Sequence, residues 1–477
     1  MQWVCGDIKN AGLLDFVSAW YIKAARYMSV IASEARQSSL SPSPNGLLRH
    51  GVPRNDSIRC AFVSTNSITQ GEQVGVLWAW MLAQGVKIHF AHRTFSWSNE
   101  ARGKAAVHCV IIGFGLQEAA EKIIYKYEDI KGEPHAVKAS NINPYLVDAP
   151  DLIIDKARKP ICNVPEMSYG SMANDDGFLL LSDIEKQTLL IKEPLAEKWV
   201  KKFVMGDELI NNISRWCLWL EEIKPNELRN LPEILRRVEQ VRLIRVKSTR
   251  EATRELANTP NLFGELRQPS CNYLALPRVS SENRRFIPIT FLKSEVIAED
   301  KVYTIEKATI FHFGILTSTM HMAWMRTTAG RMKSDYSYTN QITYNNFPWP
   351  VIASEAKQSK TTVEASQRHQ EENKTLDCHH ATLAMTAKIE VAAQAVLDAR
   401  AAHANASLAD LYDPLTMPAN LLKAHQALDK AVDAAYGYKG ANTDAARVAF
   451  LFALYQTITS LLPAEKAVKK KITKNKV

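Results

Sequence analysis

Three short apolar runs set the terms for the first part of this chain: Cys60–Thr65, Gly85–Phe90 and Ala105–Phe114, with polar sequence between them. Runs of that length, rich in Val, Ile and Phe, read as strands rather than helices. Ahead of them, residues 13–28 bring Leu13, Phe16, Val17, Trp20 and Ala24 to one face at helical spacing, which predicts an amphipathic helix. A helix followed by three strands fits the tail end of an open α/β sheet better than a complete one. In such sheets ligands lie outside the carboxyl ends of the strands. The loops at Ser64–Gln73 and Arg93–Gly103 are therefore where chemistry is expected to gather.

From about Asn141 to Pro350 the pattern becomes mixed. A helical stretch is read around Glu193–Trp219, then a long amphipathic helix over Leu231–Thr253, then an aromatic-rich strand-and-helix region from Phe263 to Pro350. Residues 388–462 are alanine-rich with helical periodicity, interrupted at Asp413-Pro414, at Met417-Pro418 and at the Tyr436–Gly440 turn. That pattern predicts a small helical bundle. Val30–Ser38 recurs as Val351–Ser359 with a single difference, Arg36 against Lys357. Each copy opens a polar stretch with no sustained apolar periodicity, and loops that long are uncommon inside a compact domain. Segments 29–57 and 351–386 are thus expected to be insertions, disordered or loosely packed.

Charge and cysteine usage narrow the function classes. The net charge of +9 includes a tail, 466–477, with six lysines among its twelve residues. A basic chain suits a polyanionic partner, because phosphates reward clustered Lys and Arg by counterion release. The longest apolar runs, such as Val107–Leu116, are too short to span a bilayer. No export signal is read at Met1–Asp7, so a cytoplasmic location is expected. The seven cysteines include no CxxC pair and the histidines no HExxH, which argues against a zinc ribbon or a disulfide framework. His89 and His92 come nearest to a ligand pair, and no metal site is expected.

Seven strings carry a resemblance. They are Leu14–Ala25, Phe62–Gln73, Ala91–Trp97 with Asn99–Ala101, Arg215–Leu220, Met320–Arg326, Gly330–Tyr336 and Tyr344–Pro350. In that order the chain resembles the carboxyl-terminal half of the MmeI-like family of single-chain type II restriction–modification enzymes. The resemblance implies an S-adenosylmethionine-dependent adenine-N6 DNA methyltransferase acting on double-stranded DNA. It implies that 1–140 is the carboxyl-terminal part of a class I, Rossmann-like α/β methyltransferase core. Residues 141–350 would be an α+β target-recognition domain with a helical spacer, and 387–465 a small α-helical domain ahead of the basic tail.

Two signatures of such a methyltransferase are absent from residues 1–477: the glycine-rich cofactor loop and the Asn/Asp-Pro-Pro-aromatic tetrapeptide. Asn143-Pro144-Tyr145 has one proline, and Gly113-Phe114-Gly115 lacks a third glycine. Adenine N6 is a poor nucleophile, and such enzymes flip the base out and hydrogen-bond its amino group to protein oxygens. Without those acceptors the chain alone is expected to transfer no methyl group. The alternatives are a DNA-binding specificity module, working with a separately encoded amino-terminal half, or an inactive product of a disrupted gene.

The resemblance also singles out residues. Asp15 matches a helix beside the catalytic cleft, and is equally read as a helix-start aspartate. Phe95 and Trp97 occupy the loop where related enzymes stack an aromatic on the flipped base, with core packing the competing reading. Ser64, Thr65 and Asn66 either line the same cleft or merely form a turn. Lys333 and Asp335, two apart and taken as one extended strand, match positions that vary together with one base of the recognition sequence. Lys can donate to guanine and Asp can accept from the paired cytosine, while a surface salt bridge is the plainer alternative. Arg326, Arg331, Tyr336 and Tyr338 are expected to touch the DNA backbone and groove.

Overall fold

The protein is described by a computed structural model covering residues 2–39, 58–97, 107–350 and 368–461, with Gln2, 32–39 and 368–383 as helix backbone only. After a single helical turn at Gln2–Cys5, its first long helix, α1 (Ser18–Ser39), starts later than the apolar pattern suggested. The face it buries is Ser18, Ala19, Tyr21, Ile22, Ala25 and Met28, a run at i, i+3, i+4 and i+7 spacing. Tyr21 fixes that rotation by stacking on Phe114 at 5.4 Å and hydrogen-bonding Ser64 Oγ at 3.0 Å. Phe16 and Trp20, expected on the buried face, are 69% and 52% exposed.

Strand β1 (Arg59–Thr65), helix α2 (Gly71–Ala83) and strands β2 (Lys87–Trp97), β3 (Val107–Gly115), β4 (Lys122–Lys126) and β5 (His135–Ala139) follow. They make one mixed sheet in the order β1-β3-β2-β4-β5. β3 lies antiparallel between β1 and β2, and β2 pairs in parallel with β4. The expected loop at Arg93–Trp97 is instead the end of β2, carried past a register shift between His92 and Phe95. α2, read above only as loop at its start, buries Val74, Leu77, Trp78 and Met81 and anchors Trp78 Nε1 on Ile68 O at 2.9 Å.

Past the sheet come β6 (Met167–Tyr169), β7 (Leu180–Leu181), β8 (Val200–Val204) and β9 (Trp216–Leu218). The stretch expected to be helical around Glu193–Trp219 thus contains two paired strands, Val200 opposite Leu218 and Lys202 opposite Trp216. Their β-branched and aromatic residues fit a pleated surface that buries Phe203 and Cys217. Helix α3 (Pro232–Val246) stops before Lys247, and a separate short helix covers Glu251–Glu255. Arg245, at the end of α3, is fully buried. All five of its N–H donors reach carbonyls, those of Ala173, Asn174, Leu256, Thr259 and Leu262, at 2.8–3.0 Å. A planar fork with five donors can do this where lysine cannot.

The remaining strands are β10 (Tyr273–Pro277), β11 (Val279–Ser280), β12 (Thr290–Leu292), β13 (Ile297–Ala298) and β14 (Val302–Glu306). Two helices, α4 (Ile310–Leu316) and α5 (Thr319–Thr328), lead to a hairpin of β15 (Gly330–Met332) and β16 (Asp335–Ser337). Sheets β12-β10-β14-β6, β11-β16-β15 and β13-β8-β9-β7 complete the region. Last come α6 (Arg368–Ala401), α7 (Ala419–Ala435) and α8 (Asp444–Leu461). α7 opens directly after Pro418, and the chain turns at Gly437 with φ +63°. Helix therefore occupies part of both segments expected to be loose, since α1 runs to Ser39 and α6 starts at Arg368. Residues 40–57, 351–367 and the basic tail lie outside the described residues.

One hydrophobic cluster runs from Val4 to Tyr455 through the first sheet, strands β10 and β14 and the carboxyl-terminal helices. Its meeting point is Asn345–Trp349. Asn346 is 2% exposed, and its Nδ2 lies within 2.9–3.1 Å of the carbonyls of Asp155, Gln341 and Ile342. Asn345 Nδ2 reaches Ala157 O, Tyr436 Oη reaches Pro348 O, and the Phe347 ring packs on Trp324. Replacing Asn346 by Ala should cost about 1–3 kcal/mol for each carbonyl left dry. Thermal unfolding of Asn346→Ala checks this, and a variant within about 0.5 kcal/mol of the parent would show the junction to be dispensable.

Candidate nucleic-acid interface

The hairpin is built by exchange between Gly330 and Ser337, Arg331 and Tyr336, and Met332 and Asp335. Lys333 and Ser334 are its two-residue turn, so Lys333 and Asp335 do not share one extended strand as the sequence suggested. Lys333 has φ +58°, a left-handed backbone that two-residue hairpin turns demand and that glycine usually supplies. Holding lysine there costs roughly 1–3 kcal/mol. Met332 and Lys333 are exposed at the tip, while Asp335 is half-buried.

Arg331 braces this turn from below. Its guanidinium lies 3.9 Å over the Tyr336 ring, and Nη1 donates to Ser334 O at 2.5 Å and to Glu282 at 3.2 Å. Its side chain is 11% exposed, so it shapes the hairpin rather than reaching for a phosphate. Tyr338 is 2% exposed with its hydroxyl 3.0 Å from His321 Nε2, and Tyr336 is 7% exposed. Both are core residues, because a ring sealed under its neighbours has no surface left for a groove. Arg326 is likewise engaged, with Asp444 at 2.9 Å and Arg285 O at 2.7 Å.

Sequence reasoning missed Arg284. It projects from the loop before Phe286 and is half-buried; burial pushes its pKa down, while nearby Asp335 and Asp413 sustain its charge. The doubled arginine Arg284-Arg285 was the available signal.

A second cluster gathers at the carboxyl end of β1. Ser67 Oγ donates to Asp15 Oδ2 and lies 2.9 Å from Thr65 Oγ1, and the Asp15 N–H donates to Gln73 Oε1 at 3.1 Å. Asp15 stands before α1 rather than within it. Ser64 and Asn66 are each 5% exposed, with Ser64 turned to Tyr21 and Asn66 to Thr94. They pack inward and do not line a cleft. Thr65 and Phe95 both face Cys109 in register, from opposite sides, which sets them about 10 Å apart across three strands.

On that rim Phe95 stacks on Tyr127 at 5.3 Å and lies 6.3 Å from Trp97, itself 48% exposed. His92 stacks on Tyr125 at 4.1 Å and its Nδ1 meets Tyr127 Oη at 2.8 Å. Burial lowers the His92 pKa, favouring the neutral ring. Tyr125 and Tyr127 were legible only as a period-two pair.

The two sequence decoys are filled. A Cβ at Gly113 would fall 2.1 Å from the Phe90 ring, and Gly115 backs onto His89. Asn143 is fully buried and takes the N–H groups of Tyr145 and Val147 on its Oδ1, closing a turn. Among the described residues no three His, Cys, Asp or Glu side chains are gathered as a metal site needs, and no helix is long and apolar enough to cross a membrane.

The hairpin meets helix α2 at Gly71. A Cβ on Gly71, which has φ +58°, would sit 2.9 Å from Gly330 Cα. The first residue of the hairpin therefore rests on the start of α2, beside the Asp15–Thr65 cluster.

Three family models match the chain: "MmeI, DNA-methyltransferase domain" over 1–126, "MmeI, target recognition domain" over 148–351 and "MmeI, C-terminal domain" over 382–463. DNA methyltransferase A of Bacillus subtilis (strain 168) is 35% identical over 457 residues, 96% of this chain and 45% of that protein. The solved structure of the type IIL restriction-modification enzyme MmeI in complex with DNA is 48% identical, with a TM-score of 0.78, covering 96% of this chain and 54% of that one. The chain thus spans about half the length of the relatives it matches.

The Gly71–Gly330 contact makes a clean test. Gly71→Ala should displace the hairpin and weaken duplex binding, since both the positive φ and the contact oppose a side chain. Gly85, with φ +80° and open space around it, is the control: Gly85→Ala should cost stability without that loss of binding. Equal duplex affinity for both variants would sever the proposed link.

Proposed function

The chain belongs to the MmeI-like family, and we propose that it carries the sequence-reading part of a restriction–modification adenine-N6 DNA methyltransferase. The observation that carries this reading is the strained, exposed turn at Lys333, presented at the tip of a two-stranded ribbon. A ribbon of that width fits the major groove of B-DNA. There the Lys333 ammonium can donate to guanine O6 and N7, and Asp335 can accept from cytosine N4. Arg284, whose charge Asp335 favours, would add a cation beside the hairpin. Because the reading groups sit on a braced hairpin, they meet the bases without first paying the entropy of ordering a loop.

The rim of the sheet supports the second half of the proposal. Phe95 and Trp97 offer partly exposed aromatic faces at the carboxyl end of β2. Such a surface can stack on an extruded adenine and leave its amino group free. Asp15, Thr65 and Ser67 form the polar wall opposite. A cytoplasmic location follows from duplex DNA as the substrate.

S-adenosylmethionine is the methyl donor that methyltransferase membership implies. The residues here do not by themselves make a site for it: the glycines of β3 are filled by Phe90 and His89, and no glycine-rich turn follows β1. We therefore derive no step through the cofactor. The same observation favours a second reading, in which residues 1–477 act as a specificity module.

Base reading is tested by exchanging the pair. Lys333→Glu together with Asp335→Lys should reverse the preferred orientation of one G·C pair when the protein selects from a randomised duplex pool. Each contact is worth ~1–3 kcal/mol of discrimination, so either single change should relax that position. Uniform weakening with no base-specific shift would reduce Lys333 to a backbone contact.

A further inference from the structure

Between the first sheet and the carboxyl-terminal helices lies a pocket of about 340 Å³ that no part of the reading above uses. Arg93, near the end of β2, and Lys126, at the end of β4, both line it. The parallel pairing of β2 with β4 ends at His92 opposite Tyr125, one residue before Arg93 and Lys126, on strands whose backbones lie roughly 5 Å apart. The opposite wall is the first turn of α8, through Thr443, Ala445 and Ala446.

The acids nearby are already engaged. Asp148 Oδ1 accepts from Ser140 N, Ser140 Oγ and Asn141 N at 2.7–3.1 Å. Asp444 is held by Arg326 at 2.9 Å, and Glu121 by Lys138 at 2.8 Å. Among the described residues neither the Arg93 guanidinium nor the Lys126 ammonium makes a hydrogen bond or a close ion pair. Burial opposes both charges, Arg93 further disfavours that of Lys126, and Asp444 with Tyr336 beside Arg93 and Asp148 beside Lys126 only partly offset this. The helix α8 points its positive end at the same space, and the Ala445 N–H has no acceptor there among the described residues. Two cations and a helix start around one cavity make a setting that favours an anion.

We propose that this pocket binds a phosphate-type oxyanion, held by Arg93 and Lys126 against the first turn of α8. A tetrahedral oxyanion would take a forked pair of bonds from the guanidinium, a charged bond from Lys126 and a backbone bond from Ala445. It would also tie the sheet to the carboxyl-terminal helices. The inference does not rest on base reading by Lys333.

Isothermal titration of the full chain with inorganic phosphate, at ionic strength held fixed with chloride, tests it. Saturable binding is expected, with affinity reduced at least tenfold in Arg93→Gln. Lys126→Gln, nearer the strand end, gives an independent variant should Arg93→Gln fail to fold. The source of the phosphate is then distinguished with a DNA duplex. If the pocket takes a phosphodiester, inorganic phosphate competes with the duplex and the Lys126→Gln salt slope falls by about one. If duplex affinity is indifferent to both, the pocket serves free phosphate. Phosphate no better than chloride, or equal binding by parent and Lys126→Gln, overturns the proposal.

Discussion

The side chain of Asn346 ties three carbonyls from two stretches of chain, and the first sheet, the hairpin and the carboxyl-terminal helices meet at that point. Asp155 lies on the link leaving the first sheet, while Gln341 and Ile342 lie on the turn after the recognition hairpin. On its other side Asn346 Oδ1 meets Tyr455 Oη of α8 at 3.4 Å. Carbonyls buried without donors are costly, so Asn346 favours the joint arrival of these segments; Gln341 O is also met by Ala157 N at 3.0 Å. Phe347 and Trp349 then fill the space between Trp324, Tyr344 and Tyr436. A hairpin mounted on this junction inherits its rigidity, as a site that must meet fixed base edges requires.

Charge is distributed with the same logic. Arg245, Arg331, Arg400 and Arg447 are turned inward and spend their donors on the protein itself: five carbonyls, a turn, Tyr412 with Ile289 O, and Asp433 with Asn442. A positive net charge therefore says little about where the polyanion lies. Cations available to a partner include Lys333 at the hairpin tip, the exposed Arg285, and Arg93 and Lys126 in their pocket. Asp429 adds a further tie, its carboxylate accepting from Thr319 N and Oγ1 at the start of α5. The carboxyl-terminal helices thereby help fix the helix that leads into the hairpin.

Much of this was legible in residue pattern, and the rest was not for identifiable reasons. The strands at Cys60, Lys87 and Val107 declare themselves because each contains a short run rich in apolar residues. The face of α1 misled, because Phe16 and Trp20 are as apolar as Tyr21 and Ile22, and only the stacking of Tyr21 on Phe114 decides the rotation. Lys333 read as strand because nothing in Gly-Arg-Met-Lys-Ser-Asp-Tyr marks a turn; the residue that usually would, glycine, is missing where φ is positive. Tyr338 looked like a surface residue among charges, and its burial is a tertiary fact set by His321. The pair Arg93 and Lys126 is 33 residues apart in sequence (126 − 93) and joins only through the parallel pairing of β2 with β4.

The central claim is that a braced hairpin reads bases in the major groove, and modified guanines test it most directly. In the duplex the full chain prefers, each guanine is replaced in turn by 7-deazaguanine, which lacks the major-groove N7 acceptor, or by inosine, which lacks the minor-groove amino group. The account predicts that 7-deazaguanine at one position weakens binding and that Lys333→Ala removes this sensitivity, while inosine at that position is tolerated. Binding that responds to inosine and ignores 7-deazaguanine throughout would place the reading in the minor groove and contradict the account.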